Sequence, residues 1–363
     1  MEEAKMKVLL LGEFSGFFIN LKNGLISNGI NCLLAANGDG WKKINGADFP
    51  LYNNPKNKIK KFFSFLVFPF FKRKQLYGYD VVMLVDPSIF HPLINKMMFK
   101  LIKKHNKKIF VSVAGSCFVQ YECYKKGELG YYIFDNNEEL CSIYSGTSFL
   151  SRLKKKQEKY IFDHCDGIIP IMYEYAVPLR ARGNCLETIP IGFDCSNISY
   201  VPNIAKNRIV IMHGIIREKS KGTQEIKDAL KIIKEKYGDY VEVILEGKMP
   251  LDDYLERLKQ VNILVDQCKE HCYGMNALYA MAEGRIVLGG ASDNSLNEFG
   301  LSRNECPVFH ITPNVSQIVE QLEYVISLKD HFEELGKKSR EFVEHFHDYK
   351  RIALEYINLW EDK

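Results

Sequence analysis

Two cationic residues, Arg217 and Lys221, follow a short apolar run, Arg208 to His213, which predicts a buried strand. In a parallel α/β sheet the loop after a strand lies at its carboxyl end, where ligands bind. A guanidinium and an ammonium group there could hold phosphate oxygens. An Arg and a Lys in a loop are more often only solvated, so a second element is needed to predict a site.

The second element is the segment 261–290. A strand is predicted at Asn262 to Asp266, then a loop containing Gly274, then a helix from Ala277 to Gly284. A glycine-containing loop before a helix leaves backbone N–H groups unpaired, and the helix dipole there favours an anion. One such turn is a weak signal, since doubly wound sheets repeat it. If both loops face one crevice, they predict a site for a diphosphate leaving group.

The first half of the chain has the same alternation of strands and helices. A predicted strand at Lys7 to Gly12 precedes Ser15 and Gly16, and another at Lys108 to Val113 precedes Gly115 and Ser116. These four residues are predicted to lie at the first-domain side of a cleft, because they follow strand ends. The first turn lacks GxGxxG, which argues against a dinucleotide enzyme.

Composition narrows the class of protein. The 363 residues suffice for two α/β domains, and 46% hydrophobic and 26% charged residues are typical of a soluble globular chain. The N-terminus does not look like a signal peptide, and no apolar run approaches the length of a bilayer. Ten cysteines without a CxxC pair indicate reduced thiols in a cytosol. Cys268, His271 and Cys272 lack a matching second pair, so no metal site is predicted.

Charge is distributed unevenly along the chain. Residues 1–200 carry 27 Lys+Arg against 18 Asp+Glu, whereas residues 201–363 carry 22 against 27. Two stretches of the first half, Lys56–Lys74 and Lys96–Lys108, hold no acidic residue, and the first contains six phenylalanines. Either they are core helices with solvated ends, or they bind an anionic membrane surface, which we favour. A nucleic-acid partner is disfavoured because no recognisable binding module is present.

Three segments of the second half together resemble the family-4 glycosyltransferases. They are HGIIREKSKGT at 213–223, ILVDQ at 263–267 and YGMNALYAMAEGRIVLGG at 273–290. The resemblance implies the GT-B fold, an α/β architecture of two Rossmann-like domains facing a central cleft. Residues 1–200 would bind the acceptor and residues 201–340 the nucleotide sugar. Residues 341–363 would form a C-terminal helix that packs back on the first domain.

The resemblance also implies roles for individual residues. The donor diphosphate would contact Arg217, Lys221, Gly274, Met275, Asn276 and Ala277. The donor sugar and nucleoside would lie near Glu246, Gln267, His271, Tyr273 and Tyr279. His271 and Tyr279 stand where the family has glutamates. Because Tyr279 has one hydroxyl and no charge, ribose would be recognised differently. The spacing from Arg217 to Lys221 is one residue shorter than in the family. No catalytic residue is assigned.

The implied activity is transfer of a sugar, as by a hexosyltransferase, from a nucleoside-diphosphate sugar to a glycan or lipid-linked glycan, with retention, in surface polysaccharide or glycolipid synthesis. No cofactor is expected, and since no Asp-x-Asp occurs, neither is a metal. The expected location is the cytoplasm, peripheral on the inner membrane face. Alternatives are a catalytically silent GT-B protein that assists another transferase, and an epimerase or phosphorylase of similar architecture. A phosphorylase is disfavoured because no lysine site for pyridoxal phosphate is recognisable.

Overall fold

The computed structural model describes residues 6–42 and 44–363, except the side chain of Trp41. Its described residues form two five-stranded parallel sheets, each flanked by helices. We call the residues around the first sheet the first unit and those around the second sheet the second unit. This confirms the predicted α/β class with two Rossmann-like halves. The sheets lie on either side of residue 200, while the predicted domain boundaries themselves stay predictions.

The first unit begins with a strand, as predicted, and continues with helices between its strands. Its strands and α-helices are β1 Lys7–Leu11, α1 Phe17–Ser27, β2 Asn31–Ala35, α2 Lys58–Phe71, β3 Val81–Leu84, α3 Asn95–His105, β4 Lys108–Val113, α4 Phe118–Lys125, α5 Glu138–Tyr144, α6 Phe149–His164, β5 Gly167–Pro170 and α7 Tyr173–Ala176.

The second unit repeats the alternation and ends in three helices. Its elements are β6 Ile209–Gly214, α8 Glu218–Lys221, α9 Thr223–Tyr237, β7 Val241–Glu246, α10 Leu251–Leu258, β8 Ile263–Val265, α11 Met275–Ala282, β9 Ile286–Gly289, α12 Asp293–Glu298, β10 Phe309–His310, α13 Val315–Ser327, α14 Phe332–Phe346 and α15 Tyr349–Glu361. Helix α11 begins at Met275, two residues before the predicted start at Ala277, because Gly274 is its N-cap.

Strand order places the loops that bear the predicted site. The orders are β2-β1-β3-β4-β5 and β10-β9-β8-β6-β7, so the order reverses beside β1 in the first sheet and beside β6 in the second. Both faces of the inner strands are buried, as expected for parallel sheets with helices on each side. A crevice opens where the strand order reverses, and ligands bind there in such sheets. The loops after β1 and β6 therefore face the positions where a ligand is expected.

The last helix returns to the first unit. Gly24 on α1 lies so close to α15 that a Cβ there would be 2.2 Å from the carbonyl oxygen of Tyr349. The Lys108 ammonium donates to the carbonyl oxygen of Trp360 at 2.6 Å, and Trp360 is fully buried. The two units are thus joined both by the chain between them and by this returning helix.

Helices α2 and α3 carry the two acid-free stretches. Helix α3 packs one apolar face, which includes Met98 and Ile102, into the core, whereas Phe63 and Phe71 of α2 are 58% and 79% exposed. None of the helices in the described part of the chain is both long enough and apolar enough to cross a membrane. Because Phe63 and Phe71 are exposed, these side chains are not part of the core, although Pro69 in the same helix is buried.

Candidate functional site

A cleft of about 610 Å³ lies between the two units at the carboxyl ends of their strands. The first unit contributes loops that follow β1, β2, β4 and β5, and the second contributes loops that follow β6, β7 and β8. Nine of the residues predicted from the sequence line it: Ser15, Gly115, Arg217, Lys221, Gln267, Gly274, Met275, Asn276 and Tyr279. The two loops predicted to converge therefore line one cleft.

Arg217 and Lys221 have very different surroundings within this cleft. Arg217 is exposed, and within the described residues its side chain makes no hydrogen bond or ion pair. Lys221 is buried, and its ammonium lies 2.5 Å from Asp266 Oδ1 at the end of β8. The same oxygen accepts a hydrogen bond from Asn276 Nδ2 at 2.6 Å. Lys221 is thus a neutralised cation, while Arg217 can meet an anion without breaking an existing contact.

Helix α11 points its first turn into the cleft. Its N-cap residue is Gly274, which has no side chain to accept a hydrogen bond from the following amides. The amides of the first turn also have no acceptor in an earlier turn. A Cβ at Gly274 would have only the Met172 methyl nearby, at 3.9 Å, so the approach to these amides is open. Free amides and the positive end of the helix dipole make this turn suitable for an anion.

Two predicted residues with polar side chains contact other protein groups instead of lining the cleft. His271 is buried, its Nε2 lies 2.7 Å from the carbonyl oxygen of Leu129, and its ring stacks on Tyr131. The Tyr273 hydroxyl lies 2.9 Å from His347 Nε2. These side chains reach toward protein groups because the loop between β8 and α11 presses against the first unit and the final helices.

Four further predicted residues also lie outside the lining of the cleft. Glu246 forms an ion pair with Arg257, with an Oε1–Nη2 distance of 2.5 Å. The Ser116 carbonyl accepts a hydrogen bond from the Tyr144 hydroxyl. Ala277 is fully buried in the first turn of α11, and Gly16 sits beside Tyr279.

Tyr279 joins the second unit to the first turn of the first unit. A Cβ at Gly16, whose φ is +96°, would lie 3.1 Å from the Tyr279 hydroxyl oxygen. The Tyr279 ring packs edge-on against Phe193. Burial, with a smaller contribution from Glu13, raises the pKa of Tyr279 to about 12. Its hydroxyl therefore stays protonated at neutral pH.

Sequence reasoning missed several polar residues of the cleft. Asp39 accepts hydrogen bonds from the Ser15 amide at 2.9 Å and from the Lys42 ammonium at 2.6 Å. Asp266 and Glu270 line the opposite wall. The position of Asp266 as the last residue of a predicted strand was the available signal, because strand ends meet at the ligand edge of a sheet. Nothing in the local pattern distinguished Glu270 from a solvated loop residue.

Within residues 6–42 and 44–363, no cluster of three or more His, Cys, Asp or Glu side chains is arranged to hold a metal ion. Cys268, His271 and Cys272 are all buried, but they do not form such a cluster.

Solved structures provide the comparison for the whole chain. Sucrose-phosphate synthase from Thermosynechococcus elongatus superposes with a TM-score of 0.62 at 16% identity, over 98% of each chain. A glycosyltransferase from Rickettsia africae gives 0.59 at 12% identity, over 99% of each chain. HepE from Anabaena, in complex with UDP-glucose, gives 0.62 at 12% identity, over 99% of this chain and all of that one. The protein has the GT-B fold.

Sequence comparison adds no closer relative. No family model matches the chain, and no curated protein matches it. A Listeria monocytogenes protein described as a UDP-N-acetylglucosamine 2-epimerase also shares the fold, with a TM-score of 0.56 at 12% identity, over 99% of this chain and 98% of that one. The fold thus accommodates more than one reaction on nucleotide sugars, and at these identities the function has to be argued from the cleft.

Proposed function

We propose that this chain is a glycosyltransferase that moves a sugar, as a hexosyltransferase, from a nucleoside-diphosphate sugar to a glycan or lipid-linked glycan. The observation that carries the proposal is the meeting of Arg217 and the open N-terminus of α11 in one cleft between two Rossmann-like units. Neighbours of the same fold were solved with UDP and with UDP-glucose, which supports a nucleotide-sugar donor.

The chemistry explains why such a site suits the reaction. Breaking the bond between the sugar C1 and a phosphate oxygen places negative charge on the departing diphosphate. Fixed donors that meet this charge stabilise the transition state more than the ground state. Arg217 and the amides of residues 275–277 supply such donors. Lys221 is paired with Asp266, which also accepts a hydrogen bond from Asn276, so its ammonium lies beside these donors in a fixed position. The proposal includes retention of configuration and no metal.

The first unit is proposed to bind the acceptor, with Ser15 and Gly115 at the cleft. Helices α2 and α3 are proposed to bind an anionic membrane surface at the cytoplasmic face of the inner membrane. Exposed phenylalanines on α2 lie between basic ends, and seven basic residues occur in Lys56–Lys74 without an acidic one. Aromatic rings at headgroup level and cations near lipid phosphates give such segments their affinity. This would suit a lipid-linked acceptor in surface polysaccharide or glycolipid synthesis.

A thermal-shift screen with UDP, GDP, ADP and CMP and their common sugars, with and without magnesium, tests the donor site. A ligand at 100 times its dissociation constant adds about 2.7 kcal/mol, which moves the melting temperature measurably. Arg217→Ala should abolish the shift, because it removes the unpaired guanidinium from the cleft. Arg303→Ala is the control, since Arg303 is paired with Asp293 outside the cleft. A stabilising nucleotide that binds the Arg217 variant equally well would place the site elsewhere.

Product analysis separates transfer from the alternatives. Two observations support the alternative of a silent GT-B protein. Lys221 is already paired with Asp266, and neither His271 nor Tyr279 has a carboxylate. Such a protein would form no glycosylated product and release no nucleotide, even with a donor bound. An epimerase would interconvert nucleotide sugars without an acceptor. Acceptor-dependent release of the nucleoside diphosphate together with a new glycoside supports the transferase.

A further inference from the structure

One carboxyl group of the cleft lacks the partners that its neighbours have. Glu270, in the loop between β8 and α11, lines the cleft and is 8% exposed. Within the described residues its side chain makes no hydrogen bond and no ion pair. By contrast, Asp266 binds Lys221 and Asn276, and Glu13 accepts hydrogen bonds from two backbone amides. Burial of an unpaired carboxylate is unfavourable, so this position favours a neutral acid or a ligand.

The residues on either side of Glu270 hold it in place. Lys269 donates to the carbonyl oxygen of Asp135 at 3.0 Å and lies 3.4 Å from Glu225. His271 is anchored to the carbonyl oxygen of Leu129. Neither Lys269 nor His271 lines the cleft. The loop is therefore fixed at both sides of Glu270, and its carboxyl group faces the cavity from a preset position.

Burial favours the neutral form of Glu270, and the charges around it act in both directions. The groups that act on it include the cations Arg217 and Lys221 and the carboxylates Glu174 and Asp266, and it acts in turn on the hydroxyls of Tyr132 and Tyr175. Burial raises the pKa of Glu270 to about 7, and Arg217 offsets part of that rise.

The charge balance of the cleft points the same way. Its described lining has four cationic side chains (Lys42, Arg217, Lys221, Lys248) and three acidic ones (Asp39, Asp266, Glu270). Their sum is +1 with Glu270 ionised and +2 with it neutral, and the second value better matches a diphosphate.

We infer that Glu270 binds the diphosphate of the ligand as a neutral carboxylic acid, its O–H donating to a phosphate oxygen beside Arg217. This rests on the proposed nucleotide-sugar function and assigns a residue to the same site. A carboxylate that close to a diphosphate would repel it, whereas a protonated acid adds a donor where Lys221 is already engaged. Anion binding is then coupled to proton uptake by this one group.

The test is titration calorimetry with inorganic pyrophosphate at pH 6 and pH 8, on the full chain and three variants. Glu270→Gln keeps a donor at all pH values, because an amide NH₂ replaces the acid O–H. Its affinity should be similar to that of the unmodified protein at pH 6 and about tenfold higher at pH 8, one unit above the group's pKa of about 7. Pyrophosphate's own titration cancels, because it is common to both proteins.

Two further variants keep the result interpretable. Glu270→Ala should weaken binding at pH 6, where the donor is lost, but not at pH 8, where a repelling carboxylate is removed. Glu246→Gln is the control, since Glu246 is paired with Arg257 outside the cleft lining, and its pH dependence should match the unmodified protein. Thermal unfolding of each variant checks that it is folded.

The outcomes separate this inference from the proposed function. Equal affinities of Glu270→Gln and the unmodified protein at both pH values overturn the inference, while binding of a nucleoside diphosphate would leave the proposed function standing. Weaker binding by Glu270→Gln at both pH values also overturns it, since the carboxylate would then be the useful form. Pyrophosphate binding that follows the predicted pattern, without binding of any nucleoside diphosphate, supports the inference and counts against the proposed function. No binding of pyrophosphate overturns the inference, and binding of a nucleoside diphosphate would still leave the proposed function standing.

Discussion

The buried ion pair between Lys221 and Asp266 gives a sharp prediction about stability. Both side chains are almost fully buried, 6% and 2% exposed, with 2.5 Å between Nζ and Oδ1. Lys221→Met should leave Asp266 buried with only the Asn276 amide as a partner. Breaking a buried pair on one side typically costs about 3–5 kcal/mol, and the remaining hydrogen bond places this case toward the lower value. Asp266→Asn, which leaves the ammonium without its counter-ion, should cost a similar amount.

The double variant Lys221→Met/Asp266→Asn should recover most of the loss, because no unpaired charge remains buried. Urea unfolding followed by circular dichroism measures all four proteins, and the coupling free energy between the two sites should exceed about 1 kcal/mol. Lys231→Met is the control: its pair with Glu235 is exposed on both sides, so the change should stay below about 0.5 kcal/mol. Single variants that each cost less than 1 kcal/mol, or strictly additive losses, would refute the reasoning.

Two further predictions concern pH and the outer surface. Burial lowers the pKa of His347 from 6.5 to about 4, so its stabilising contribution is present above pH 6.5 and is lost as the pH falls toward 4. In urea unfolding, the stability difference between the unmodified protein and His347→Asn should narrow by about 2 kcal/mol between pH 7.5 and pH 5. A difference that stays constant with pH would contradict this prediction. Phe63→Ser/Phe71→Ser should reduce flotation with vesicles of anionic phospholipid without lowering the melting temperature, because both rings are exposed. The control, Tyr324→Ser on the exposed side of α13, should not reduce flotation. Equal flotation of all three proteins would show that α2 does not bind the membrane surface.

Most strands could be predicted because parallel strands buried on both faces are continuous apolar runs. Lys108–Val113 was predicted with its observed bounds, and β8 lies inside its predicted range. The region 121–151 was less predictable: its sequence has no clean period, yet it contains most of α4, all of α5 and the start of α6. Aromatic residues on these helices pack into a separate small cluster around Phe134, so their pattern does not follow a single core-facing stripe.

The sequence predicted which loops line the cleft, but it did not predict which side chains contact each other there. A strand end and a glycine before a helix are local signals, and they correctly brought Arg217 and Gly274 to one cleft. The pairing of Lys221 with Asp266 joins residues 45 positions apart, and the contact of His271 with Leu129 spans 142 positions. The first contact depends on how strands and loops pack within the second unit and the second on how the two units pack, and no local pattern encodes either.

The loop between β8 and α11 both contacts the first unit and lines the cleft, which its composition alone does not predict. Lys269 and His271 bind backbone carbonyls of the first unit, and Tyr273 reaches His347 before the returning helix. The same loop presents Glu270 and the start of α11 to the cleft. Where the family that the sequence resembles has glutamates, this chain has His271 and Tyr279, whose rings contact residues of the first unit. An anion bound at the start of α11 would therefore contact the same loop that joins the two units.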